Sequence, residues 1–469
     1  MTSFRLKAAL RHSVVVIALM LAASAPAIAQ AGADTVLIKR GEYLAKAGDC
    51  VACHTAPGGK AMAGGLALPT PIGAIISTNI TPSKTYGIGN YTFDQFSDAL
   101  RRGIRADGQR LYPAMPYTSY ALITDDDTRA LFAYFMQSNE PVDAAPTPTE
   151  LPFPFNIRLS MAAWNILFHD TKQFQPEAQQ SADWNRGSYL VRGLAHCGAC
   201  HTPRNFLMAE KSSQELGGGD VGAWYAPNIT SDDNSGIGAW SIANLTAYMK
   251  EGHAVDKAQA AGPMAEAVDN SLRHLLDADL TAIAIFLKST TAIHDVADTR
   301  PASSWDGTAD HLSEIRGVAL PADPAAMSGL QLYDGYCASC HQARGEGSFD
   351  GSLPSLLHNT SLGRSNTNNL VMVILEGVHR QPGVFMPAFG KTLSDVQIAS
   401  LGNTVLQGFG NPKAHITTDQ VKALRDAGAK SLLLPAVRVA MGFAGLVLLL
   451  AALLLLRRRR IKASQLHFG

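Results

Sequence analysis

Three short stretches decide the reading: Cys50-Val51-Ala52-Cys53-His54, Cys197-Gly198-Ala199-Cys200-His201 and Cys337-Ala338-Ser339-Cys340-His341. Together they hold all six cysteines of a 469-residue chain. Two cysteines spaced i, i+3 with histidine at the next position form the attachment signal of a c-type haem. The thiols make thioethers with the porphyrin vinyls, and the histidine ligates iron from the proximal side. A zinc site competes for the same spacing, but it needs a second Cys or His pair beside each motif, and the sequence supplies none. A thioredoxin-like redox pair gives no reason for histidine at the fifth place three times. The spacing therefore predicts three covalently bound haem c groups. Cys50, Cys53, Cys197, Cys200, Cys337 and Cys340 would attach them, and His54, His201 and His341 would ligate iron. No cysteine is left over for a disulfide.

The sixth position on each iron separates electron transfer from catalysis, because a filled position passes electrons while an open one can bind a reactant. Met115, in Tyr112-Pro113-Ala114-Met115-Pro116, lies 61 residues past His54 in a loop whose prolines pre-set the chain. Met386, in Phe385-Met386-Pro387, lies 45 residues past His341. Met264, in Gly262-Pro263-Met264, lies 63 residues past His201 and lacks the following proline. A methionine is ordinarily flexible core filler; against that, Met115, Met264 and Met386 are predicted as the distal iron ligands. His196, His253, His274 and His379 receive no ligand role. Gly217 to Gly222 formally matches G-x-G-x-x-G, but no strand–helix unit surrounds it, and it reads as a flexible loop.

Working outward from the motifs, an internal repeat emerges. Arg40-Gly41-Glu42-Tyr43-Leu44 precedes the first and Arg186-Gly187-Ser188-Tyr189-Leu190 the second. Downstream, Asn79-Ile80-Thr81 leads to Gly87-Ile88-Gly89, and Asn228-Ile229-Thr230 leads at the same spacing to Gly236-Ile237-Gly238. A third, shorter unit opens at Gly329. Each unit ends in a segment with helical apolar spacing, over 124–136, 277–287 and 394–406. Strand-like alternation is scarce, which predicts an all-α chain with heavy loops. Pro141, Pro146, Pro148, Pro152 and Pro154 crowd a first linker. The apolar insert Ile157 to Phe168 after it is expected to pack between the first two units. A second, polar linker contains Pro301 and Pro321.

The ends give location. Arg5, Lys7 and Arg11 precede an apolar stretch and the small-residue site Ala27-Ile28-Ala29, the pattern of a secretory signal. Val439 to Leu456 is an uncharged apolar run followed by Arg457 to Arg460. It is about 27 Å long as a helix, close to the hydrocarbon thickness of a bilayer. The arginines would stay cytoplasmic, placing the bulk of the chain on the periplasmic side of a bacterial inner membrane. Without the bases at the two ends, the body carries 31 bases against 39 acids. That balance excludes nucleic acid as a partner, since such binding rests on neutralising phosphates.

The three motifs, the repeated N-I-T/G-I-G loops, the Y-P-A-M-P loop and the apolar C-terminus together resemble one family: the triheme cytochrome c subunits of membrane-bound dehydrogenases acting on alcohols, gluconate, sorbitol or fructose. The likeness runs from about Gly41 to about Thr418. It implies an electron-transfer subunit with no substrate site of its own. Its partners would be a large catalytic dehydrogenase subunit (flavoprotein favoured over a quinone-cofactor or molybdenum protein), a small third subunit, and membrane ubiquinone. A membrane-tethered carrier serving a terminal oxidase is the alternative. The expected architecture is three tandem class I cytochrome c-like domains, at 30–140, 181–290 and 324–425. Linkers at 141–180 and 291–323 separate them, with a signal at 1–29, a transmembrane anchor at 436–456 and a tail at 457–469.

Overall fold

Each repeated unit is closed by the crossing of its first helix and its last. In a computed structural model, residues 34–307, 311–349, 353–380, 383–426 and 433–466 are described; the expected signal lies outside them. Helix 34–47 crosses Asp125–Gln137, Ala182–Tyr189 crosses Asp277–Lys288, and Gly329–Tyr336 crosses Asp395–Phe409. The crossing explains the glycine of each opening motif. A Cβ on Gly41 would lie 1.9 Å from the Ala130 carbonyl oxygen, and one on Gly187 would lie 2.0 Å from that of Ala282. Only hydrogen fits there. Side-chain caps fix the helix starts: Thr124 accepts from the Asp127 N–H, and Ser328 and Ser394 form capping boxes with Gln331 and Gln397.

The chain is helix-rich, but the all-α expectation needs correction. Four two-stranded antiparallel hairpins are present among the described residues. They pair Ala67–Thr70 with Gly73–Ile76, Gly219–Val221 with Trp224–Ala226, His253–Ala254 with Ala258–Gln259, and Val378–Arg380 with Val384–Met386. Strands of two to four residues are too short to show alternation in sequence. The segment read as a flexible glycine loop is one of them: Gly222 turns the hairpin at φ 62°, and the Gly218 N–H donates to the His201 carbonyl at 2.7 Å.

Units one and two share one continuous apolar core, in which Leu44, Leu131 and Phe135 join Leu190, Leu194, Ile283 and Phe286. They are also tied by a reciprocal exchange. Arg40 Nε donates to Asp127 of its own unit at 2.7 Å, while Tyr189 of unit two donates to the same carboxylate at 2.6 Å. In mirror fashion, Arg186 Nε donates to Asp279 at 2.8 Å, and Tyr43 of unit one donates to it at 2.5 Å. The Arg-Gly-x-Tyr-Leu repeat thus encodes an intra-unit ion pair and a crossed tyrosine. Unit three has its own core around Leu332, Tyr333, Ile398, Leu406 and Phe409. It docks on unit two through Ala223 and Trp224, which pack against that core, and through polar contacts: the Asn369 side chain accepts from the Tyr225 N–H at 2.9 Å and donates to the Tyr225 carbonyl at 2.8 Å.

Both linker segments fold back on the unit before them. Asn79 Nδ2 donates to the Val142 carbonyl at 2.8 Å, and Asn228 Nδ2 donates to the Ile293 carbonyl at 2.6 Å. The apolar insert forms the helix Ser160–Phe168. It touches both units, Tyr117 donating to Asn165 Oδ1 at 2.8 Å and Trp164 Nε1 donating to the Leu207 carbonyl at 2.9 Å. It lies against them along one face, with Asn165 buried, while Ile166 and Leu167 on the other stay 85% and 67% exposed. The C-terminal helix Leu433–Leu466 contains a stretch, Leu434–Arg458, long and apolar enough to cross a membrane, and none of it is buried against the body.

Candidate haem-attachment sites

Each Cys-x-x-Cys-His stretch forms one helical turn: Cys50–Cys53, Gly198–His201 and Ala338–His341. Residues three apart face the same side of a helix, so the two sulfurs of each pair are presented together. All six thiols are unpaired. Burial pushes Cys50, Cys197 and Cys337 up to about 12 and Cys53 up to about 11. A redox-active pair needs the opposite, a thiol lowered toward neutrality. Among the described residues no group of three or more His, Cys, Asp or Glu is placed to hold a metal ion, so a zinc site has no frame.

The histidines share one hydrogen bond. Nδ1 of His54 meets the Thr78 carbonyl at 2.7 Å, Nδ1 of His201 the Pro227 carbonyl at 2.6 Å, and Nδ1 of His341 the Pro354 carbonyl at 2.8 Å. A carbonyl only accepts, so Nδ1 carries the proton and Nε2 keeps its lone pair. Burial lowers the basicity of all three rings, against the carbonyl bonds, and holds them neutral. This is the tautomer and orientation an iron-ligating histidine requires.

The repeated N-I-T and G-I-G motifs build the frame for that bond. Asn79 Oδ1 accepts from the Thr81 N–H at 2.9 Å and Asn228 Oδ1 from the Thr230 N–H at 2.8 Å, closing a turn directly after Thr78 and Pro227. The Thr81 carbonyl then accepts from the Ile88 N–H at 2.9 Å, and that of Thr230 from the Ile237 N–H at 2.8 Å. The carbonyls at Thr78, Pro227 and Pro354, which hold the three histidine rings, are groups that the sequence reading missed. The invariant spacing of Asn-Ile-Thr in both units was the available signal.

The predicted distal methionines are all part-buried. Met115 lies in its proline-flanked loop, where its N–H donates to the Tyr112 carbonyl at 3.1 Å and its carbonyl accepts from the Tyr117 N–H at 2.8 Å. Met264 stands not in a loop but in the first turn of helix Gly262–Asn270, which Pro263 opens. Met386 ends the strand Val384–Met386 opposite Val378. Met115 and Met264 pack against the same core as Cys50 and Cys197.

The first two motifs lie side by side. Helix Gly262–Asn270 of unit two packs on the turn Cys50–Cys53. Tyr120 donates to the Gly48 carbonyl at 2.7 Å and sets its ring edge-on to His196, 5.6 Å between centroids, immediately before Cys197. Asp49, in the left-handed region at φ 52°, has Oδ1 buried without a hydrogen-bond partner. Burial and then the neighbouring Glu266 push its carboxyl up to about 8.

Residues of this kind fit a covalently held haem: paired neutral thiols on one turn, followed by a neutral histidine whose Nε2 is left free by a backbone acceptor. When bound, the haem supplies a one-electron iron centre, and the chain's own groups fix the attachment edge and the proximal ring. Fold and site define a c-type cytochrome. Residues 38–139 match the cytochrome c family, and residues 324–403 match the family of cytochrome c oxidase, cbb3-type, subunit III. The fructose dehydrogenase cytochrome subunit of Gluconobacter japonicus is 47% identical, over 89% of each chain. The gluconate 2-dehydrogenase cytochrome c subunit of Pantoea cypripedii is 41% identical, over 85% of this chain and 92% of its own. The cytochrome c subunit of alcohol dehydrogenase (quinone) from Gluconacetobacter polyoxogenes is 39% identical, over 85% and 86%. The chain belongs to this family, the cytochrome c subunits of membrane dehydrogenases, and its general role is electron transfer.

Proposed function

We propose that this chain is the triheme subunit of a periplasm-facing dehydrogenase complex at the bacterial inner membrane. It takes electrons from a large catalytic subunit that oxidises an alcohol, polyol or sugar acid, and delivers them to ubiquinone. The observation that carries the reading is the threefold recurrence of one arrangement, a Cys-x-x-Cys turn followed by a histidine whose Nδ1 is tied to a backbone carbonyl. The three units correspond to cytochrome domains at 30–140, 181–290 and 324–425, with Met115, Met264 and Met386 as distal ligands. Anchoring through 436–456 keeps the last unit near the quinone pool, and Arg457 to Arg460 hold the tail in the cytoplasm. A flavoprotein is the favoured partner, with a small third subunit beside it, because the single C-terminal helix goes with the flavoprotein-linked members of the resembled family.

The test is affinity capture of the tagged chain from detergent-solubilised membranes, followed by addition of alcohols, polyols and sugar acids while haem absorbance is recorded. Three haems per chain, a stoichiometric large partner and reduction by one donor class are expected. A second reading, a tethered carrier feeding a terminal oxidase, draws on the match of residues 324–403 to an oxidase subunit family. Haems reduced rapidly by quinol, untouched by every donor and captured without a large partner would favour it.

A further inference from the structure

The contact between units two and three buries two arginines of unit three. Arg380 has a contact ion pair, its Nη2 meeting Asp269 at 2.9 Å on the helix that carries Met264, although its Nε, like that of Arg364, has no hydrogen-bond partner. Arg364 differs. It is 7% exposed, and its Nη1 donates to the Ser235 carbonyl across the interface. Among the described residues its guanidinium makes no ion pair, and its Nε has no hydrogen-bond partner. Asp298 attracts it from nearby, but Oδ1 of that carboxylate accepts from the Ser365 N–H at 3.1 Å. A guanidinium keeps its charge at any physiological pH, so one buried with a single neutral hydrogen-bond acceptor, and with Asp298 acting on it only through space, keeps donors for a further anion.

The surroundings indicate which anion is missing. The charge of Arg364 reaches His201, the proximal histidine of unit two, and the phenols of Tyr225 and Tyr248. These tyrosines are peculiar to unit two. Gly73-Ala74-Ile75-Ile76 of unit one corresponds to Gly222-Ala223-Trp224-Tyr225, so Ile76 stands where Tyr225 does. The helices capped by Thr92 and Ser241 correspond likewise, placing Ala99 opposite Tyr248. Unit two has thus gained two phenols around an arginine that a different unit supplies. A haem's anionic groups at neutral pH are its two propionate carboxylates.

We propose that Arg364 of unit three binds a propionate of the haem held by Cys197, Cys200 and His201, in a pocket that Tyr225 and Tyr248 complete. The inference rests on the reading that unit two carries a haem. Arg364 is a positioning residue that joins the docking of unit three to the potential of the unit-two haem, since a fixed positive charge beside a propionate favours the reduced iron. Nothing in unit one offers the same pair.

The experiment compares the full chain with Arg364→Leu, Arg364→Lys and Tyr248→Phe. It reads haem content per chain, the three midpoint potentials by spectroelectrochemical titration, and the propionate-bending band in resonance Raman spectra. The midpoint that disappears in a Cys197→Ala/Cys200→Ala variant identifies the unit-two haem. Arg364→Leu is expected to retain three haems and to lower that one midpoint by about tenfold in the reduction equilibrium, about 59 mV for one electron. The Raman band should shift with it, and Arg364→Lys should recover part of the change. If Arg364→Leu does not accumulate, the Lys and Tyr248→Phe variants carry the same comparison. Three intact haems with unmoved potentials and an unmoved band would overturn the proposal, as would a shift confined to another haem. Unchanged haem content in the double-cysteine variant would instead refute the haem of unit two itself.

Discussion

Two buried carboxylates bear on stability with opposite sign. Burial would raise Asp279, but the donors Arg186 and Tyr43 outweigh it and hold the carboxyl below the usual range. A group depressed in the folded state stabilises above its unfolded value and loses that contribution as pH falls below about 4. Asp279→Asn is therefore expected to cost about 2–3 kcal/mol at neutral pH, with the gap to wild type closing under acid. Thermal unfolding at pH 7 and pH 3 checks it. Asp49 is raised to about 8, first by burial and then by Glu266. Such a carboxyl must ionise at a cost in the folded chain, so stability falls as pH climbs from about 4 toward 8. Asp49→Asn should flatten that part of the stability profile; an unchanged slope would count against the burial argument. At the proposed distal ligands, Met115→Ala should create one carbon-monoxide-reactive haem per chain, and a spectrum indifferent to carbon monoxide would remove Met115 from that role.

Helix crossings give a sharper contrast because they place similar residues in unlike surroundings. Gly187 lies against the Ala282 backbone, whereas Gly408, late in helix Asp395–Phe409, has nothing within 4 Å of an added Cβ. Gly187→Ala should destabilise by about 1–3 kcal/mol through overpacking. Gly408→Ala should stabilise by about 0.5–1 kcal/mol through helix propensity. Melting temperatures of the two variants, measured side by side, would separate crossing from propensity. At this scale the limits of sequence reading are visible as well. The attachment turns were legible because covalent chemistry fixes residue type at fixed spacing. The carbonyls of Thr78, Pro227 and Pro354 were not, since a backbone group leaves no mark in composition; only the repeated turn after two of them hinted at a role. Met264 was marked in sequence by its distance from His201 alone, and the helix that Pro263 opens around it left no sign in that spacing. The hairpins were too short for a period of two to register, and Arg364 owes its meaning to packing between units that no local pattern encodes.

For the whole molecule, the separation of anchor from body matters most. The apolar stretch Leu434–Arg458 buries none of its apolar window in the body and meets it through Arg438, whose Nε donates to the Phe153 carbonyl at 3.4 Å, so a chain ending at residue 426 should keep its visible spectrum while moving from the membrane to the soluble fraction. Retention on membranes after that cut would direct attention to the exposed apolar side chains of Ser160–Phe168. The crossed tyrosines reach further back. Tyr43 binds the carboxylate of the second unit as Tyr189 binds that of the first, and the Leu276 and Thr124 N–H groups donate to those hydroxyls in the same paired way. Two identical single-motif chains related by a two-fold axis would make that same contact twice. The first two units therefore meet as the halves of a two-fold dimer do, each half lending the other a phenol, with the symmetry held inside a single polypeptide.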